Sequence, residues 1–229
     1  MTAQEDQPVL ITYDWVPDFP RGFVRDLRVR WLFEEMGQPY RVETVPIGPK
    51  SPEHLAMQPF GQAPMVRARG RTWFETGAIL LALSEGHAAL LPEDRRAEVT
   101  EWVFAALNSV EMFTQPWVLF SAALAAPQIF GPPPAPEVIE RAAKRMTAKL
   151  GAMETVLKGR DWLAGSFTIA DILMADVLRL VADKGGLDGF PALQAYVARA
   201  TARPAFRKAH ADQMAHWQRA DAARAAAVA

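Results

Sequence analysis

Apolar and polar positions divide the chain into two parts of different periodicity. "VLITYDW", Val9 to Trp15, is a short apolar, β-branched and aromatic run of strand type. "PDFPRG" follows as a loop, with two prolines and a glycine. "FVRDLRVRWLFEEMG" then switches to helical period, with Phe23, Leu27, Arg30, Trp31 and Glu34 distributed over its faces and Gly37 as the stop. "YRVETVPI" is a second strand, and a strand–helix–strand order implies parallel pairing. "KSPEHLAM" predicts a short helical turn capped by Ser51. "APMVRAR" and "RTWFE" predict two strands joined at Gly70 as an antiparallel hairpin. "TGAILLALSEG" predicts a helix ending at Gly86.

Beyond "HAALLPEDRRAE", which reads as a linker, only helical patterns remain. A long helix is predicted from Glu93 to about Ala125, broken near Pro116. "APQIFGPPPAP" reads as a proline-rich loop. Further helices are predicted over Glu137–Lys158, Thr168–Lys184 and Pro191–Ala202, and the alanine-rich end, "RADAARAAAVA", is expected to fray. The expected fold class is α/β plus all-α, with a first domain over 1–86 and an all-helical domain over 87–229.

Composition narrows the chemistry. The 229 residues can bury a sizeable core. Lys and Arg number 25 against 26 Asp and Glu, so no charge imbalance points to nucleic acid or an anionic membrane. No apolar run reaches the roughly 18 residues of a membrane span. The beginning, "MTAQEDQPVL", has no apolar core of signal-peptide type, so a cytoplasmic location is expected. There is no cysteine, which excludes disulfides, thiolate metal sites and cysteine nucleophiles. The four histidines have no metal-ligand spacing, and no metal is expected.

Three short stretches carry the candidate chemistry. Pro64 stands at a strand entrance, where proline either starts an edge strand or forms a cis bond. Glu75-Thr76 opens a helix, with Thr76 a suitable N-cap. A helix N-terminus holds a carboxylate, and the Glu75 side chain beside it can hold an ammonium group. The pair therefore suits the two charged ends of an amino-acid zwitterion, although an ordinary cap with a first-turn acid has the same sequence. "GSFTIADI" is a capping box, with Thr168 as N-cap, Asp171 at N3 and Phe167 placed to staple onto Ile172.

In this order the stretches resemble the cytosolic glutathione transferases. "GQAPMV" is similar to that family's Val-Pro strand entry, "FETGAI" to its Glu-Ser-x-Ala-Ile motif, "DWLAGSFTIADI" to its capping-box signature, and "FPALQAYVARATARPAFRKA" to its penultimate helix and Arg-Pro turn. The resemblance spans about Val9 to Ala209. It implies a thioredoxin-like βαβ-ββα domain followed by a helical domain, a cis bond before Pro64, and a homodimer. It also implies that Ala63 and Pro64 meet the cysteinyl part of glutathione and that Glu75 and Thr76 hold its γ-glutamyl end. Lys50, His54 and Gln62 are candidates for its glycyl end.

The family's usual serine or cysteine before the first helix is absent, and Phe23 falls at that place. Tyr13, Arg21 and Arg25 are the remaining candidates for stabilising a thiolate, by a hydrogen bond or by charge, with Arg28 nearby. Phe23, Trp102, Phe113 and Trp117 are candidates for the hydrophobic-substrate site, expected between the domains; aromatics at helical spacing also serve as core. The implied activity is conjugation of the glutathione thiol to hydrophobic electrophiles. The alternatives are a non-catalytic binding or regulatory protein, or a glutathione-dependent peroxidase or isomerase.

Overall fold

The computed structural model describes residues 7–228. Two compact units emerge. One holds the residues up to Glu85 together with those from Ala202 onward, and the other runs from Gly86 to Thr201. The final helix therefore groups with the first unit, whereas the sequence pattern placed it with the second.

The first unit begins with β1 (Val9–Tyr13), α1 (Asp26–Met36), β2 (Arg41–Val45), α2 (Pro52–Met57), β3 (Met65–Ala68), β4 (Arg71–Phe74) and α3 (Thr76–Leu83). The sheet order is β2-β1-β3-β4, with β1 parallel to β2 and antiparallel to β3, and β3 antiparallel to β4. This is the expected βαβ-ββα layout. The continuous apolar run of β1 is explained by its central place: Val9, Leu10 and Ile11 are buried, with Met65 packed beside Val9 and Ile11. Edge strand β2 is mostly exposed and alternates charge with β-branched residues, which discourages edge-to-edge pairing. Gly37 ends α1 in the left-handed conformation at φ 60°, donating to the Phe33 and Glu34 carbonyls.

Pro64 precedes an interior strand, not an edge strand. It sits just ahead of the first ladder residue, Met65, so its missing N–H costs the sheet nothing, and the Ala63–Pro64 bond is cis.

The chain's last helix, α10, spans Pro204–Val228; the alanine-rich end is helical, not frayed. Once tertiary contacts hold its middle, the high helix propensity of alanine suffices to extend it. It packs along α1, with Phe206 edge-on to Trp31 at 4.8 Å and Arg203 forming a two-point ion pair with Glu35 at 2.6 and 2.7 Å.

The second unit is helical: α4 (Arg96–Phe104), α5 (Met112–Ala125), α6 (Pro127–Phe130), α7 (Pro136–Leu157), α8 (Ile169–Asp183) and α9 (Pro191–Thr201). No break occurs at Pro116, which lies inside α5. The irregularity lies upstream instead, as a π-helical stretch over Ala105–Glu111 that joins α4 to α5. Part of the stretch read as a proline-rich loop forms the single turn α6, with Pro127 in its first turn.

Helix α8 is buried continuously from Ile169 to Leu178. Its capping box is present, and Asp171 does more than cap. Its carboxylate accepts from the Thr168 and Leu163 N–H groups at 2.9 and 3.0 Å and from the buried Tyr196 hydroxyl at 2.9 Å. One side chain thus ties the start of α8 to the preceding loop and to α9. Thr168→Ala is expected to cost about 1 kcal/mol of unfolding free energy. Asp171→Ala, which strands several buried donors, should cost at least about 2 kcal/mol. Denaturant titration monitored by circular dichroism checks both; equal losses would contradict the wider role of Asp171.

Candidate functional site

The candidate site gathers around the end of β1. Tyr13 is the last residue of that strand and is half-buried. Burial raises its hydroxyl above the ordinary tyrosine pKa, and a hydrogen bond from the Ala63 backbone acts the other way. The phenol therefore stays protonated at neutral pH. The long loop after β1 does not carry Tyr13 away: its hydroxyl reaches the backbone next to Pro64. The Lys50 ammonium lies 4.7 Å from the centre of the Tyr13 ring. Desolvation lowers the Lys50 pKa, and the Asp14 charge opposes that shift.

The turn leading to Ala63 is braced from below. His54 is buried, with Nε2 3.0 Å from the Gln62 carbonyl, while its backbone N–H donates to Ser51 Oγ, which caps α2. Thus His54 holds the turn from within. Gln58, also buried, accepts from the Phe60 and Gln62 N–H groups at 2.6 and 3.2 Å. The side chain of Gln62 is exposed, 3.5 Å from Gln58 Nε2. Sequence reasoning named His54 and Gln62 but missed Gln58, whose only signal is a polar residue just past the C-terminus of a short helix.

Glu75 and Thr76 depart from the expected roles in one respect. Helix α3 begins at Thr76, so Glu75 occupies the N-cap position, without a side-chain cap bond. Glu75 has φ 65° and ψ 119°, a conformation that costs a non-glycine residue on the order of 1–3 kcal/mol. The strain leaves its carboxylate exposed beside the free N–H groups of the α3 N-terminus. Thr76 is buried, and its hydroxyl accepts a long hydrogen bond, 3.4 Å, from the buried Arg28 guanidinium. An anion at this helix end would have partial positive charge from α3 and a full cation behind Thr76. An ammonium group would have Glu75.

The loop between β1 and α1 is held by α10. The His216 ring nitrogen Nε2 is 2.9 Å from the Tyr13 carbonyl. Gln213 donates to the Val24 carbonyl at 3.0 Å and to Asp26, which is also paired with Arg30 at 2.8 Å. At Gly22, φ +80° favours glycine, and a Cβ there would stand 2.9 Å from Nε2 of the His210 side chain, which packs over the loop. Farther along, Asp221 accepts from Trp15 Nε1 at 2.8 Å and from Arg21 at 2.6 and 2.7 Å. Arg21 also pairs with Asp18 at 2.9 Å and donates to the Val16 carbonyl. Its charge is thus engaged by two carboxylates within the loop and helix. Arg25 is exposed at the N-cap of α1, and Phe23 is half-buried in the loop. The sequence signal for α10 is a helical stripe, His210, Gln213, Trp217, Asp221 and Arg224, of which only the last two lie in the alanine-rich end.

The aromatic candidates of the second unit separate. Phe113 lines a groove of about 380 Å³ between α5 and α7 with Met112, Pro116, Phe120 and Val138, and Lys149 lies 4.7 Å from its ring centre. Trp117 packs against Gly186, where a Cβ would meet its ring at 2.8 Å. Trp102 is half-buried on α4. The described residues contain no group of His, Asp or Glu placed to hold a metal ion, and no helix long and apolar enough to cross a membrane.

Comparison with known proteins places the chain in a family and agrees with its fold. The sequence model of the glutathione S-transferase N-terminal domain matches residues 27–85, and that of the C-terminal domain matches residues 120–204. Glutathione S-transferase 1 of Zea mays is 31% identical over 194 residues, covering 79% of this chain and 88% of the maize protein. A probable glutathione S-transferase of Oryza sativa subsp. japonica is 28% identical over 188 residues, covering 77% of this chain and 86% of its own. Among solved structures, a glutathione transferase family member from Pseudomonas fluorescens, with two glutathione molecules bound, superposes with a TM-score of 0.76 at 23% identity, over 91% of this chain and 94% of that one.

The pairing of Asp221 with Arg21 holds the Asp221 carboxyl down to about 2. A carboxyl depressed in the fold stabilises it above its ordinary range near 4, and the contribution is lost as pH falls through about 2. At neutral pH the tie is therefore fully engaged. Asp221→Asn is expected to speed amide hydrogen exchange between Trp15 and Gly22 while β1 and α8 stay protected. Unchanged exchange in that loop would contradict the tie.

Proposed function

Because the chain belongs to the glutathione S-transferase family, we propose that it binds glutathione along the line Glu75–Thr76, Ala63–Pro64 and Tyr13 and conjugates its thiol to hydrophobic electrophiles. The carrying observation is the meeting of the Tyr13 hydroxyl with the Ala63 backbone. The resemblance puts the cysteinyl part of glutathione at that backbone, so a hydroxyl bonded there is within reach of the sulfur.

A free thiol with a pKa of about 8.5 is only a few per cent ionised at pH 7. Lowering it by about two units needs roughly 2.7 kcal/mol of differential stabilisation. One hydrogen bond from a protonated phenol, with a nearby partly desolvated ammonium, is of that order. In this reading Tyr13 donates to the thiolate and Lys50 supplies the field. Arg21 holds the loop, and the exposed Arg25 adds charge at the helix start. The thiol proton leaves to solvent. The sulfur lone pair then forms the C–S bond as the electrophile's leaving group departs with its bonding electrons, or as the electrons of an activated double bond shift away.

Glu75 binds the γ-glutamyl ammonium in this scheme, and Thr76 with the α3 N-terminus, backed by Arg28, binds its carboxylate. Phe23 is proposed to shape the electrophile side of the loop. A cytoplasmic homodimer is the proposed state, and light scattering at micromolar concentration would test the pairing.

Two measurements test the proposal. Retention on immobilised glutathione together with turnover of a generic aryl halide is expected; retention without turnover of any electrophile would favour a non-catalytic binding protein. By calorimetry, Glu75→Ala is expected to weaken glutathione binding by about 1.5–3 kcal/mol. An unchanged dissociation constant would remove Glu75 from the site.

A further inference from the structure

The peptide unit between Tyr13 and Asp14 is gripped at both ends. Its N–H, on Asp14, donates to the Val45 carbonyl at the end of β2 at 2.9 Å. In a planar trans peptide the carbonyl points the opposite way, so the Tyr13 oxygen faces away from β2. On that side the ladder with β3 has already ended, its last pair being Ile11 with Met65. The partner that the sheet does not supply comes from α10, where His216 Nε2 lies 2.9 Å from the Tyr13 oxygen.

His216 is itself held in place. It shares a face of α10 with Gln213 and Trp217, both fully buried, and the Trp217 ring stands edge-on to it at 4.5 Å. Burial lowers the His216 pKa. The bond to the Tyr13 carbonyl and the Asp26 charge oppose that shift, and the Arg30 and Arg219 charges add to it. The ring is therefore neutral at pH 7. A carbonyl only accepts, so the single ring proton sits on Nε2. Gln213 and Asp221 bind the loop farther on, at Val24, Asp26, Trp15 and Arg21, whereas His216 reaches the strand residue itself.

The Tyr13 side chain leaves the backbone beside this gripped peptide. A phenol is long, so a small rotation of the Tyr13 backbone moves its hydroxyl much farther than its Cα, and a catalytic group misplaced by about 1 Å loses much of its effect. We propose that His216 is a positioning residue for Tyr13: by holding the Tyr13 carbonyl it sets where the hydroxyl stands, and so how strongly that hydroxyl stabilises the glutathione thiolate. The role rests on the proposed contact between Tyr13 and the sulfur. It makes the chain's last helix a determinant of thiol ionisation, although His216 need not touch the substrate.

The test is the thiol pKa of bound glutathione, read by ultraviolet titration of full-chain variants. His216→Leu is expected to raise it by about half a unit or more, which below the thiol pKa is roughly a threefold loss of thiolate. Turnover of a generic aryl halide at such a pH should fall by about the same factor, while the KM for glutathione changes less than about twofold. His216→Gln, a neutral amide able to reach the same carbonyl, should restore most of the loss. In a Tyr13→Phe background, His216→Leu should raise the pKa no further. If His216→Leu does not fold, His216→Asn, whose shorter amide falls short of the carbonyl, takes its place. An unchanged thiol pKa in His216→Leu beside a raised one in Tyr13→Phe overturns the role of His216 and leaves that of Tyr13. No change in Tyr13→Phe overturns both. A further rise on adding His216→Leu to Tyr13→Phe also overturns the proposal, as does a His216→Gln variant no better than His216→Leu.

Discussion

The candidate site depends on the hold that α10 exerts on the loop between β1 and α1. That loop begins with the Tyr13 backbone and ends at Asp26, and its own hydrogen bonds are local turns such as Arg21 N–H to the Asp18 carbonyl and Phe23 N–H to the Pro20 carbonyl. Bonds from His216, Gln213 and Asp221 take its carbonyls, its helix entrance and its arginine in turn. A loop of this length would otherwise sample many conformations, and fixing each residue costs about 1–2 kcal/mol. Contacts spread along one rigid helix offset that cost where the sheet cannot, and they explain why the last helix groups with the first unit.

The same hold assigns the arginines different work. Arg21 looked like a source of positive field, but two carboxylates engage its guanidinium. Arg28, buried behind Thr76, reinforces the helix end instead. Lys50, first considered for the far end of glutathione, lies over the Tyr13 ring. Charge near the proposed sulfur position thus comes from the segment before α2, brought there by the sheet.

Much of the fold was legible because its signals are local. The apolar run of β1, the Gly70 hairpin, the Ser51 cap and the Thr168–Asp171 box each fix their own element by short-range chemistry. What was not legible came from tertiary context. The π-helical stretch at 105–111 has no composition of its own, and the role of α10 exists only once α1 lies beside it. At the site, Glu75 was read as an acid beside a helix capped by Thr76, whereas Glu75 is itself the N-cap, and its strained backbone follows from the turn that ends β4 and leaves no mark in the sequence.

The central claim is that the Tyr13 hydroxyl stabilises the thiolate of bound glutathione. Ultraviolet titration of the thiolate in the binary complex tests it most directly. A thiol pKa about two units below that of free glutathione is expected, with a rise of at least one unit in Tyr13→Phe while glutathione is still bound. An unchanged thiol pKa in Tyr13→Phe would contradict it.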